Sequence, residues 1–212
     1  MAIPDANDAG ALSAFLADFR LGQHEGTTLS TPCGNCSACC SSGLEIFIDQ
    51  SEVEVLALLP HDSLVPLEDR QAGNFMLRSR KDGRCPMLGS SGCTTYDRRP
   101  RTCRSFDCRI FTATGIEPPG GRTSKVAIRA RNWTFDDSKS SEGTTRQALD
   151  ATVKFLKAFE EVFIPYGIEP GTPIVENVAA DLMHLFLEPS SEVEQLQAVI
   201  TELRRIRNDF LQ

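Results

Sequence analysis

Histidine occurs three times, tyrosine twice and tryptophan once in 212 residues. Three scattered imidazoles without H-x3-H or H-E-x-x-H spacing argue against a histidine-based catalytic zinc site. No apolar run approaches the ~20 residues of a bilayer span, so no membrane association is expected. Acidic Asp5 and Asp8 stand where a secretory signal carries basic residues, so the expected compartment is the cytoplasm. Glycine and proline together make 27 residues, too few for a collagen-like or low-complexity chain. No G-x-S-x-G motif is present. The segment Gly115-x4-Gly120-Gly121-Arg122-Thr123 lacks the Gly-Lys-Ser/Thr ending of a phosphate loop. The last 104 residues contain no cysteine.

All eight cysteines lie between residues 33 and 108. Cys33, Cys36, Cys39 and Cys40 form C-x2-C-x2-C-C, and Cys85, Cys93, Cys103 and Cys108 follow at wider spacing. An even count reads as a disulfide framework in an exported chain. In a reducing compartment the same count reads as metal ligation, and a chain of this length needs no covalent staples. A two-residue gap lets two thiolates close on one ion through a tight turn, for which Gly34 and Gly43 are suited. The wider spacings suit ligands converging from separate elements. All eight are therefore candidate metal ligands. The competing reading for Cys93 or Cys103 is a small buried hydrophobe. Adjacent Cys39 and Cys40 are expected to point apart, serving different metals or leaving one thiol free. His24 is a candidate nitrogen ligand, and Asp97 a weak candidate acid. Eight thiolates suit two four-thiolate zinc sites, or one [4Fe–4S] cluster with four left for a second metal.

The net charge of −7 conceals a basic segment. Residues 78–131 carry 13 basic and 4 acidic side chains, and four of the cysteines lie within them. A four-thiolate zinc or oxidised [4Fe–4S] site carries about −2 and needs compensation. Arg98, Arg99, Arg101, Arg104 and Arg109 are candidates to donate N–H groups to sulfur. The alternative is a solvated basic face. Nucleic acid is a disfavoured partner, because the whole chain is acidic and few aromatics interleave with the basic run. A protein partner stays open.

The order C-x2-C-x2-C-C, Cys85-Pro-Met-Leu, Gly92-Cys93-Thr-Thr-Tyr96, Arg99-Pro100-Arg-Thr-Cys103-Arg104 and Cys108 resembles the YkgJ-like cysteine-cluster family. That resemblance implies a zinc- or iron-chelating domain with all eight cysteines as candidate ligands. One branch resembles flagellin lysine N-methylases, which implies an enzyme modifying a protein side chain. Those proteins are longer, and this chain has neither a glycine-rich loop for S-adenosylmethionine nor the radical C-x3-C-x2-C spacing. A structural zinc module for protein interaction is the third reading.

The periodicity predicts an α+β fold. An N-terminal helix and linker (1–30) precede a small irregular cysteine core with few short strands (31–135). Helices (136–212) are expected to pack on that core. Residues 8–21 read as a helix through Leu12, Phe15, Leu16 and Phe19, and 44–49 and 74–80 as strands. Pro100 is placed to open a short helix carrying Cys103, while 126–135 stay ambiguous between helix and strand. Ser51-x-x-Glu54, Thr144-x-x-Gln147 and Ser191-x-x-Glu194 read as capping boxes. Thr172-Pro173 reads as another helix start. The last helix, 192–211, has Val193, Leu196, Ile200, Leu203, Ile206 and Phe210 as its apolar stripe, packed on the core or offered to a partner.

Overall fold

The structure is a computed structural model that describes residues 7–25, 28–29, 31, 35–67, 73–136, 138–166, 168 and 175–210. It is α+β. In chain order come β1 (Asn7–Ala11), α1 (Leu12–Glu25), β2 (Ile46–Ile48), α2 (Val53–Leu56), β3 (Leu64–Pro66) and β4 (Phe75–Leu77). Then follow β5 (Leu88–Gly89), β6 (Gly92–Cys93), α3 (Arg101–Ser105), α4 (Arg109–Thr114), α5 (Lys125–Ala130) and β7 (Trp133–Asp136). Helices α6 (Ser140–Ala158), α7 (Glu160–Phe163), α8 (Val175–Leu182) and α9 (Glu192–Phe210) complete the chain. None of the described helices is long and apolar enough to cross a membrane.

Two compact units interleave along the chain. One comprises residues 1–20, 109–117 and 130–212; the other comprises 21–108 and 118–129.

The first unit is mainly helical. Strand β1 pairs with β7 in parallel, Asn7 opposite Trp133 and Asp8 opposite Thr134. The start expected at residue 8 is therefore corrected: 7–11 form a strand, and the helix begins at Leu12. Its apolar stripe is as expected, with Leu12, Phe15, Leu16 and Phe19 all buried. The Ser13 backbone N–H, in the first turn and without an intrahelical acceptor, donates to Glu142 Oε2 at 2.9 Å. Ser13 Oγ donates to Glu142 Oε1 at 2.6 Å, so a carboxylate from α6 caps α1. Helices α4 and α6 both pack on α8, where Ala179, Ala180 and Leu182 are fully buried beside Leu149, Leu156 and Phe163 of the same unit. Each fully buried Leu or Phe contributes about 1.5–3 kcal/mol relative to exposure.

Two of the three expected capping boxes are corrected. Helix α6 starts at Ser140, one turn before Thr144, and Thr145 Oγ1 instead donates to the Ser141 carbonyl at 3.1 Å. Helix α2 starts at Val53 without a side-chain cap, and the bonds lie in the turn before it: Ser51 N–H donates to Asp49 Oδ1 at 2.8 Å and Asp49 N–H to Glu52 Oε2 at 3.2 Å. The third box is present as read, with Ser191 Oγ donating to Glu194 Oε2 at 2.7 Å and accepting the Glu194 N–H at 3.3 Å. In α9 the buried residues are Gln195, Val199 and Leu203, so the stripe is rotated and Val193 is 66% exposed. The start at Thr172-Pro173 and the Phe210 side chain lie outside the described residues.

The second unit holds a three-stranded antiparallel sheet of order β2-β4-β3 and the small hairpin β5-β6. Its core is Ile48, Val55, Leu59, Leu77 and Cys85, with Cys40, Met87 and Leu88 packed against it. Pro66 is tolerated because β3 lies at the sheet edge, where a missing N–H costs no ladder bond. Residues 126–135, ambiguous in sequence, divide between the end of α5 and β7.

Candidate metal centre

Cys39 and Cys40 occupy a 3-10 turn, Cys39–Ser41. The turn is closed by Ser41 and Ser42 N–H groups donating to the Ala38 and Cys39 carbonyls, and by Ser42 Oγ donating to the Ala38 carbonyl at 2.7 Å. Successive side chains in such a turn are only about a third of a revolution apart. Their sulfurs consequently lie 4.0 Å from each other, correcting the expectation that they point apart. Ala38 N–H donates to Cys36 Sγ at 3.5 Å. Gly43, with φ +64°, turns the chain out of the cluster, as its position predicted.

Cys85 enters from the second half of the unit. Its N–H donates to the Cys40 carbonyl at 2.8 Å, and its side chain is part of the core. Just before it, residues 80–84 make a turn at Gly83 (φ +77°). Arg80 Nη2 reaches over that turn to the Pro86 carbonyl at 2.6 Å and the Leu88 carbonyl at 3.1 Å. Cys93 sits on β6 opposite Leu88, with Sγ 3.6 Å from Thr95 Oγ1. Cys93 and Cys103 are partly buried.

Cys103 is placed by α3, which follows Pro100 as expected. Three ties hold this short helix. Thr102 Oγ1 donates to the Phe47 carbonyl of β2 at 2.6 Å. The Arg101 N–H, an orphan donor of the first turn, donates to Glu52 Oε1 at 2.7 Å. Arg104 Nη2 lies 3.7 Å from the same oxygen. Farther along, Cys108 is buried, and the neighbouring buried Asp107 accepts Thr31 Oγ1 at 2.8 Å. Cys33 lies outside the described residues.

The thiols influence one another through space. Cys39 is lowered to about 7, chiefly by hydrogen bonding from Cys40, with help from backbone N–H groups and the Arg99 charge. Cys40 is pushed up, because it keeps the proton that it shares with Cys39 and is desolvated beside Cys39, Cys85 and Cys93. Burial raises Cys85, and Cys93 and Cys39 add to the rise while Arg80 opposes it. Burial also pushes Cys103 to about 12, with Cys39, Cys85 and Cys93 adding repulsion and Arg99 opposing it. One thiolate therefore forms readily, and each further one is resisted by those already charged. A bound cation removes that resistance.

The arginine run divides by role. Arg101 Nη2 donates to the Gln23 and His24 carbonyls at 3.2 and 3.5 Å, capping α1. Arg104 pairs with Glu52. In the other unit, the Arg109 guanidinium lies over Phe15 at 4.8 Å and Trp133 at 5.8 Å. Arg98 and Asp97 are exposed. Arg99 stacks on Tyr96 at 3.8 Å and acts on Cys39 and Cys103. Arg80, which sequence reasoning passed over, does the same for Cys85.

Among the described residues no three His, Cys, Asp or Glu side chains stand close enough to hold an ion between them. Cys39, Cys85, Cys93 and Cys103 are linked electrostatically, since Cys39 and Cys93 each raise both Cys85 and Cys103. The donor set fits a thiophilic metal. It is all sulfur, the donor type that such a metal prefers.

Comparison with known proteins gives one result and two absences. Residues 32–130 match the family model CxxCxxCC, described as "Putative zinc- or iron-chelating domain". No curated protein and no solved structure matches. The match contains all eight cysteines, and its description agrees with metal binding. The similarity to that domain covers residues 32–130, just under half of the chain.

Proposed function

We propose that this protein is a cytoplasmic metal-binding protein that holds zinc or iron on cysteine thiolates, with Cys39, Cys85, Cys93 and Cys103 as one four-thiolate centre. The observation that carries this reading is that Cys39 and Cys93 both raise Cys85 and Cys103, which come from distant parts of the chain. Packing alone gives no reason to gather four ionisable sulfurs, and a cation gives one. When bound, zinc supplies a closed tetrahedral tie among the elements, and an iron–sulfur cluster supplies one-electron redox chemistry. The thiolates bind, the turn at Cys39–Ser41 and helix α3 orient them, and Arg80 and Arg99 offset their charge. Cys33, Cys36, Cys40 and Cys108 remain candidate ligands of a second centre.

The test is elemental analysis with an ultraviolet–visible spectrum, on protein purified without oxygen and without added metal. Iron with acid-labile sulfide assigns the cluster form; colourless protein with one or two zinc ions assigns the zinc form. Folded protein free of metal contradicts the reading.

A further inference from the structure

We infer that Cys39 and Cys40 form a preorganised dithiol site for trivalent arsenic, in which one arsenic atom bridges the two sulfurs and keeps a substituent of its own. The inference needs no resident metal, so its failure and that of the metal-binding reading are distinguishable.

The two sulfurs stand 4.0 Å apart. Adjacent residues hold their Cα atoms ~3.8 Å apart, below the roughly 4.4–6.8 Å of ordinary disulfides, so a direct S–S bond here is strained. One atom inserted between the sulfurs relieves that strain. Two bonds of ~2.3 Å, the length of a zinc–thiolate bond, span the observed gap through a single soft atom. The pair is also held in place. Ser41 and Ser42 N–H groups and Ser42 Oγ close the turn on the Ala38 and Cys39 carbonyls, and Cys85 N–H ties the Cys40 carbonyl at 2.8 Å. Cys40 packs against the core of Ile48, Val55, Leu59, Leu77 and Cys85. Little freedom is left to lose on binding. Both cysteines are nevertheless partly exposed, so a small solute reaches them. Among the described residues no three His, Cys, Asp or Glu side chains gather around an ion. The pair therefore suits a centre that is satisfied by two protein sulfurs. Trivalent arsenic is such a centre, being soft, three-coordinate and able to retain one substituent.

Binding of an arsine oxide is a condensation without redox change. Two As–S bonds form, the As=O bond and both S–H bonds break, and the oxygen leaves as water with the two protons. The second As–S bond is intramolecular, so single thiols in solution displace the ligand poorly.

The experiment treats the full chain, reduced, chelator-washed and kept from oxygen, with phenylarsine oxide, and follows the adduct by mass spectrometry. One arsenical per chain is expected, stable to excess glutathione and removed by 2,3-dimercaptopropanol. Cys39→Ser and Cys40→Ser should each weaken binding on the order of a hundredfold, the scale of a lost intramolecular bond. Cys93→Ser should bind as the parent does, because the near neighbour of that sulfur is Thr95 Oγ1 at 3.6 Å. Alkylation of the parent with and without the arsenical, mapped by peptide, gives a second readout that needs no variant: Cys39 and Cys40 alone should become protected. Parent affinity in either Cys39→Ser or Cys40→Ser, protection at a different pair, or no adduct stable to glutathione overturns the inference.

Discussion

Cys39 and Cys40 hold their sulfurs 4.0 Å apart across a single peptide bond, and the two thiols are unlike. Cys39 has the Arg99 charge and backbone N–H groups to stabilise its thiolate, and Cys40 supplies it with a proton donor. Only Cys39 belongs to the proposed four-thiolate centre. Cys39→Ser is expected to abolish that centre, whereas Cys40→Ser should leave an ion bound on the remaining four. Metal content per chain, measured for both variants in parallel, checks this. Equal loss in the two variants would place both sulfurs in one site.

Glu52 is the hinge pin of the unit that carries Cys103. It accepts the Arg101 N–H, faces Arg104 and accepts the Asp49 N–H. Glu52→Ala leaves the first turn of α3 without its acceptor, at a cost of about 1–3 kcal/mol. The variant is expected to lower the denaturant midpoint and loosen metal retention together. A change in stability with metal content untouched would mean that α3 is held in place without this carboxylate.

Glu142 acts at a distance of 129 residues as the cap of α1. Hydrogen bonding from Ser13 holds its carboxyl below the ordinary 4.5. Its contribution is therefore present above pH 4.5 and is lost as the pH falls through the lowered value. Glu142→Ala should cost about 1 kcal/mol at neutral pH, the usual worth of an N-cap. Urea unfolding at pH 7 and in acid checks it, and the difference between variant and parent should shrink in acid.

Glu176 makes the opposite prediction. It is 3% exposed, its Oε2 has no hydrogen-bond partner among the described residues, and burial lifts its carboxyl from 4.5 to about 7. A raised acid favours folding while protonated, so stability is fullest below pH 4.5, falls as pH rises towards 7 and then levels off. The span corresponds to about 3 kcal/mol. Glu176→Gln removes the ionisation, so the variant should be less pH-dependent across this window and more stable than the parent at pH 8. Parallel pH–stability curves for the two proteins would show that Glu176 ionises without penalty.

The parts of the fold legible in sequence were those with a local cause. Leu12, Phe15, Leu16 and Phe19 mark a helix because burial follows the 3.6-residue period, and Ser191 and Glu194 cap α9 because both partners lie within one turn. What the sequence concealed depended on distant partners. Strand β1 is drawn out by β7, more than a hundred residues away, and α1 takes its cap from Glu142. Leu64–Pro66 carries no strand signal beyond three residues and a proline. At the candidate centre, cysteine spacing pointed to metal binding, and the family match agrees with that. Spacing did not separate the arginines. Arg101, Arg104 and Arg99 lie within six residues, yet one caps α1, one pairs with Glu52 and one stacks on Tyr96. Arg80 had no local signal at all, because its tie to Cys85 runs through a turn that only the folded chain defines.

The central claim is that sulfur alone surrounds the bound metal. X-ray absorption at the zinc or iron edge of the protein as isolated reads that shell directly. The account predicts a first shell of about four sulfurs at about 2.3 Å, with the number falling in Cys85→Ser and Cys103→Ser. A shell made mainly of nitrogen or oxygen, unchanged in both variants, would contradict it.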